Sequence, residues 1–261
     1  MRKLLQKLAR TAAGVHIVSQ SRPGLELGAD MSHRLPAVQV DVAFDVGGNH
    51  GQSAALFRQW FPRAVIHSFE PLPDTYAVLQ QALASDRLAR AHNLALGAES
   101  GSVAMTQEVS SDLARVTAPN DPTNGSTVTV ERTTLDRFCR EADIEHINLL
   151  KIDTEGHDLY VLEGARAMLA GNRIDVVQVE AGMNPLNTNH VHLKEFLQLL
   201  EPLGYFLFGV YEQVPEFPTG APQLRRADLA FVSQQAIAAN TALYAPAGKY
   251  AFGVLRVAVF D

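Results

Sequence analysis

The sequence predicts an α/β fold, with a mostly parallel sheet covered by helices on both faces. Three observations predict it. From residue 42 onward, short apolar runs alternate with stretches of helical periodicity. The first run, Val42-Ala43-Phe44-Asp45-Val46, leads into a glycine-rich turn, Gly47-Gly48-Asn49-His50-Gly51, that opens a helical pattern. Polar residues then gather just past the apolar runs, at Asp45, Glu70, Asp153, Glu155, His157 and Glu180. Ligands of open α/β sheets bind beyond the carboxyl ends of the strands, so these residues are the ones to weigh.

The elements follow in order. Residues 1–37 read as an N-terminal amphipathic helix and a connector. The first ten residues are basic and carry Leu4, Leu5 and Leu8 on one face. His16, Ser19 and Gln20 interrupt any apolar run behind them, so no cleaved signal peptide is expected. This helix is expected to pack on the domain or on the second copy of a homodimer. Contact with an anionic membrane surface is the alternative. Residues 20–37, with Pro23, Gly24, Gly28 and Pro36, are the connector.

The main domain is expected over 38–235. Strand 42–46 leads to a helix over 51–61, whose stripe is Ala54, Phe57 and Phe61, and then to a strand over 64–69 ending at Glu70. Asp74 can cap the next helix, striped by Tyr76, Leu79 and Leu83. A third strand is expected near 92–96, ending at Gly97. Residues 101–109 and 126–132 show the two-residue period of half-exposed strands and read as a small β insert, with a polar loop at 117–125. The wound pattern resumes with a helix over 134–142, a strand over 147–152, a helix over 157–170 and a strand over 174–179 that ends at Glu180. A helix over 191–201, a strand over 204–211, a proline-rich loop and a strand over 228–233 complete it. Residues 236–261 read as a C-terminal extension.

Composition narrows the functional classes. A chain of 261 residues can bury about 70–75% of its unfolded surface as one α/β domain or one and a half. Its 47% hydrophobic and 19% charged residues describe an ordinary soluble globule. A net charge of −6 without a basic stripe argues against a nucleic-acid partner. No stretch approaches the ~18 apolar residues of a transmembrane segment. The single Cys139 excludes a disulfide framework and fits a reducing, cytoplasmic location. It falls with Leu135, Phe138 and Ala142 on one helical face and reads as core.

The turn carries the chemistry. An acidic residue about 20 positions beyond such a turn is placed to accept hydrogen bonds from a ribose diol, which is the role expected of Glu70. The chain therefore reads as binding a nucleoside-bearing cofactor. Dinucleotide binding needs G-x-G-x-x-G, and from Gly47 this chain offers Gly, Asn and Gln at those positions. A nicotinamide-dependent oxidoreductase is disfavoured on that ground. The pattern present is Asp-x-Gly-x-Asn-x-Gly. An anion at Asp45 is unhelpful for phosphates but suits a cofactor carrying an ammonium and a sulfonium, which S-adenosylmethionine does.

Further motifs stand in order along the chain. They are Asp45-Val-Gly-Gly-Asn-His-Gly51, Ser68-Phe69-Glu70-Pro71, Asn93-Leu-Ala-Leu-Gly97 and Thr134-Leu135-Asp136-Arg137-Phe138. Lys151-Ile152-Asp153-Thr154-Glu155-Gly156-His157-Asp158 and Val161-Leu162-Glu163-Gly164-Ala165 follow. Over residues 40–235 the chain resembles the FkbM family of S-adenosylmethionine-dependent methyltransferases. The resemblance implies a Rossmann-like class I methyltransferase sheet of seven strands, mostly parallel, with the last strand antiparallel. It implies methyl transfer to oxygen, on a hydroxyl of a saccharide, glycan or polyketide-type small molecule. Asp45, Gly47, Asn49, Gly51, Glu70 and Pro71 would then hold the cofactor. One departure is Gly48 and His50, which stand where small or aliphatic residues are more usual, so His50 is a further candidate for ligand contact.

Methyl transfer to an alcohol needs alignment of two reactants and removal of a hydroxyl proton. Asp153, Glu155 and His157 stand at alternate positions past the fourth strand, with Glu180 past the fifth. In one reading His157 or Asp153 is the base. In the other, Asp153, Glu155 and Glu180, with or without His157, hold Mg²⁺ or Mn²⁺. Glu155 could instead pair with Lys151 or cap the following helix. His190 and His192 suit a hydroxyl-rich acceptor but read first as a solvated helix start, and Arg225 and Arg226 as solvated charges. A different class, a non-catalytic S-adenosylmethionine-binding subunit, is opposed by Asp153, Glu155 and His157, which binding alone would not require.

Overall fold

The computed structural model describes residues 23–107, 115–116, 126–217 and 219–244. The N-terminal amphipathic helix, the polar loop at 117–125 and the chain beyond residue 244 lie outside the described residues. Eleven strands run in chain order, β1 (Val42–Val46), β2 (Val65–Phe69), β3 (Ala89–His92), β4 (Ala95–Leu96), β5 (Gly101–Gln107), β6 (Arg115–Val116), β7 (Ser126–Thr133), β8 (Ile147–Ile152), β9 (Ile174–Gly182), β10 (Tyr205–Pro215) and β11 (Leu224–Ser233). Between and around them lie α1 (Leu27–Arg34), α2 (Gln52–Trp60), α3 (Pro73–Leu83), α4 (Leu135–Glu141), α5 (Asp158–Glu163), α6 (Arg166–Ala170), α7 (Leu193–Leu200) and α8 (Gln234–Tyr244).

Seven strands form one sheet in the order β10-β11-β9-β8-β1-β2-β3. The five from β9 to β3 are parallel, and β11 runs antiparallel between β9 and β10. This is the Rossmann-like sheet with an antiparallel last strand that the resemblance implied. Strands β8 and β9 are near-continuous apolar runs because helices cover both of their faces. One face packs Phe44, Leu150, Val177 and Phe231 under Leu162, Leu169 and Phe196. The other packs Ala43, Ile66, Leu149 and Val176 under Phe57 and Leu27. Cys139 is buried as expected, and burial pushes its thiol up to about 12. Among the described residues no helix is long and apolar enough to cross a membrane.

Three local expectations are corrected. The third sheet strand is Ala89–His92, not residues 92–96. The chain breaks at Asn93, whose Nδ2 donates to the carbonyls of Glu70 (3.0 Å) and Pro71 (2.8 Å), and Ala95–Leu96 joins the insert sheet β4-β7-β5-β6 instead. The helix expected over 157–170 is two short helices, α5 and α6. At Gly164, between them, a Cβ would lie 2.0 Å from the carbonyl oxygen of Gly97, so the chain lies backbone to backbone there. Asp136 caps α6 through the N–H groups of Ala167 and Met168. The stretch read as a connector contains α1. Its Gly28 lies so close to Trp60 that a Cβ would meet the indole at 2.2 Å, and its Asp30 accepts from the Tyr211 hydroxyl at 2.8 Å.

Candidate functional site

A polar row crosses the carboxyl end of the sheet. Strand register puts Ser68 beside Asp45, Asp45 beside Lys151 and Lys151 beside Gln178. Directly above it the glycine turn is folded flat against two strand ends. Gly47 and Gly48 N–H both donate to the Phe69 carbonyl, at 3.0 and 2.9 Å. Gly47, Asn49 and Gly51 take positive φ of 85°, 44° and 91°. A Cβ on Gly47 would lie 1.9 Å from the Asp153 carbonyl oxygen, so only glycine lets the turn rest on the end of β8.

Glu70 ties the turn to β2. Its Oε2 accepts from Asn49 N–H at 3.1 Å and its Oε1 from Leu72 N–H at 2.9 Å. Burial nonetheless raises its carboxyl to about 7, against those two hydrogen bonds. Glu70, Pro71, Gly47 and Asn49 all line one cavity of about 650 Å³, a size common for small-molecule sites. Asp45 and Gly51 do not reach its wall. Asp45 is wholly buried beneath the turn, where Oδ2 accepts from Ser68 Oγ at 3.2 Å and Oδ1 has no hydrogen-bond partner among the described residues. Burial drives its pKa up, and the Lys151 charge opposes this. Its place is under the ligand floor, shaping the turn. His50 is exposed and also off the wall.

Asp153, Glu155, His157 and Glu180 line the same cavity. Lys151 pairs with Asp153: its Nζ donates to Asp153 Oδ2 at 2.8 Å. The Lys151 side chain is only 13% exposed. Desolvation works against its ammonium, but the nearby Asp153, Asp45 and Asp228 charges more than compensate and hold its pKa above the ordinary range. Asp228 faces Glu180 across the antiparallel pair of β9 and β11, accepts from Gln178 Nε2 at 2.7 Å, and is raised by burial to about 6. His157 stands at the N-terminal boundary of α5 without a capping side-chain hydrogen bond, after a turn where Glu155 and Gly156 have positive φ. Burial, with Arg132 nearby, lowers its pKa from the ordinary histidine value.

Glu180 is held on both oxygens. Arg226 donates to Oε1, and His190 Nε2 lies 2.8 Å from Oε2. His190 Nδ1 is within hydrogen-bond reach of the Asn187 amide, whose Nδ2 donates to the Arg225 carbonyl at 2.9 Å. Arg225 in turn pairs with Glu216 at 3.3 Å and lies over the Phe217 ring at 5.4 Å. His190, Arg225 and Arg226, which the sequence alone assigns to solvent, are therefore parts of the wall. Glu155, Glu180 and His190 bring ligand atoms within 4.8 Å of one another. The cluster differs from the expected metal set, because Asp153 is committed to Lys151 and His190 takes the histidine position.

The cavity suits the expected cofactor by its chemistry. The Glu70 carboxylate offers acceptors for a vicinal diol, Phe69, Leu94 and Leu96 offer an apolar wall for a base, and carboxylates beyond the turn suit a cationic group.

Comparison with known proteins gives the family. The model described as "Methyltransferase FkbM domain" matches residues 45–207. Among curated relatives, the hexuronic acid methyltransferase AglP of Haloferax volcanii is 32% identical over 152 residues, 57% of this chain and 60% of that one. Methyltransferase 1 of Beauveria bassiana is 29% identical over 142 residues, 46% and 56% of the two chains. The 2-O-methyltransferase NoeI of Sinorhizobium fredii is 24% identical over 193 residues, 69% and 75%. The alignments thus span 60% and 56% of the first two relatives' lengths. With a match that starts at Asp45 and runs through the glycine turn, Glu70 and the Lys151–Asp158 segment, the chain belongs to the FkbM methyltransferase domain family.

Proposed function

We propose that this chain is an S-adenosylmethionine-dependent O-methyltransferase acting on a hydroxyl of a saccharide or glycosylated small molecule. The observation that carries this reading is one cavity lined both by Glu70 with the Gly47–Asn49 part of the turn and by Asp153, Glu155, His157 and Glu180. The names of two relatives, a hexuronic acid methyltransferase and a 2-O-methyltransferase, support a sugar hydroxyl as acceptor.

The cofactor supplies a methyl group on a sulfonium, a strong leaving group. The chain's own residues do the rest. Glu70 accepts hydrogen bonds from the ribose hydroxyls, and the left-handed turn lets backbone approach the ligand closely. Asp153, held at 2.8 Å by Lys151, takes the proton from the acceptor hydroxyl. His157 on the same wall is the second candidate base. Glu180, fixed by Arg226 and His190, orients the acceptor.

A metal reading has its own observation, the convergence of Glu155, Glu180 and His190. It is the weaker one, since Arg226 and His190 already engage Glu180 and an ion would have to compete with both. Incubation with radiolabelled S-adenosylmethionine and a panel of glycosides tests the main reading. Label in a glycoside methyl ether supports it. Cofactor binding without transfer to any acceptor would favour the binding-only subunit. Loss of turnover with EDTA, restored by Mg²⁺ or Mn²⁺, would favour the metal.

A further inference from the structure

Among the described residues, the lysine and arginine side chains that line the cavity are all engaged. Arg226 is held by Glu180, Arg225 by Glu216, and Lys151 stands among Asp153, Asp45 and Asp228. Apart from Glu70, the cavity wall carries Asp153, Glu155, Glu180, Glu212 and Asp228 against those three cations, an excess of two formal negative charges. Glu212 is there because a bulge interrupts the β10–β11 pairing between Tyr211 and Val214, with Glu212 at φ 42°.

We infer that this part of the wall selects an uncharged, polyhydroxylated acceptor and turns away one that carries a carboxylate. The inference deepens the saccharide reading, rests on it, and sets this chain's acceptor apart from that of the relative named for hexuronic acid. A carboxylate entering this wall meets an acidic field. To find a partner it must displace Glu180 from Arg226 or Glu216 from Arg225. Those carboxylate side chains are only 11% and 6% exposed, so the displaced charge would be left buried and unpaired. Hydroxyl groups face no such barrier. They donate to the remaining lone pairs of Glu180 and Asp228, and hydrogen bonds to charged acceptors are among the stronger ones. Phe217 on the same wall is 72% exposed, and the apolar face of a sugar ring can lie on it.

Matched glycoside pairs that differ only in oxidation at C6 test the inference. They are methyl glucoside against methyl glucuronide, and the corresponding galactose and mannose pairs, each with radiolabelled S-adenosylmethionine. Whichever pair is methylated, the neutral member is expected to show at least about tenfold higher kcat/KM, with the gap shrinking in high salt and in Glu212→Gln. Equal or preferential use of the uronide in any pair overturns the inference and leaves the methyltransferase reading standing. Transfer to neither member of any pair, with cofactor binding intact, overturns the saccharide reading and the inference together.

Discussion

Replacing Lys151 with Met removes the ammonium that stands among Asp45, Asp153 and Asp228 while keeping most of its apolar stem. Removing one partner of a buried ion pair costs about 3–5 kcal/mol when the remaining charge has no escape. Two features lower that figure. The Asp153 side chain is 37% exposed, so its share falls to the ~0–1 kcal/mol of a solvated pair. Asp45 and Asp228 can take up protons, since burial already holds both above the ordinary value of 3.8 and Lys151 is the leading influence against that rise. A carboxyl whose folded pKa is raised contributes stability that is complete below its ordinary pKa and is lost as pH rises through the folded value. Lys151→Met raises both pKa values further. Its deficit against the parent should therefore be small near pH 4 and grow to about 2–4 kcal/mol by pH 8. That corresponds to a Tm loss of roughly 5–15 °C at the alkaline end. Thermal and urea unfolding at stepped pH would measure it, and turnover at pH 7 should fall at least ~100-fold as Asp153 loses its anchor. A deficit of the same size at pH 5 and pH 8 would refute the reasoning.

Three other outcomes are expected. Glu70, raised to about 7, must lose its proton to accept ribose hydroxyls, so cofactor affinity should fall as pH drops below 7 and binding should release protons. Calorimetry in buffers of different ionisation enthalpy reads this, and Glu70→Gln should abolish the pH dependence while weakening binding by about 1.5–3 kcal/mol. Asp153→Asn should lower kcat by about 10²–10⁴ with cofactor affinity retained, and His157→Ala by less; the reverse order in single-turnover assays would make His157 the base. Gly47→Ala, with φ 85° and a Cβ 1.9 Å from the Asp153 carbonyl, should abolish cofactor binding, whereas an unchanged Kd in a folded variant would contradict the geometry of the turn.

The proposed cofactor site was legible because its parts are local. The turn follows its strand directly, and Glu70 accepts from Asn49 only 21 positions away. The rest of the cavity wall was legible in its carboxylates and not in their partners. Arg226 reaches Glu180 across 46 positions, through an antiparallel register that no local pattern encodes. His190 looked like a solvated helix start because nothing in its neighbourhood shows that Glu180 returns beside it. Asp45 was assigned to the ligand by its charge, yet the strand's inward face carries it under the turn. The split of α5 from α6 depends on the Gly97 carbonyl, again a contact distant in sequence. Proximity along the chain, more than residue type, decided what could be read.

The β10–β11 hairpin supplies a separable part of the cavity wall. In the proposed reading the nucleoside meets residues from 46–71 and 94–96, whereas Glu212, Phe217, Arg225, Arg226 and Asp228, beside the carboxylates of β8 and β9, all arrive on that one hairpin. The hairpin sits at the sheet's far edge, four strands from β2. Exchanging its bulge and its turn between members of the family would change acceptor choice without disturbing the nucleoside half. Chimaeras cut at residues 205 and 233 should accordingly keep one parent's cofactor affinity and acquire the other's preference for acceptors, and a library aimed at new acceptors has its natural boundaries there.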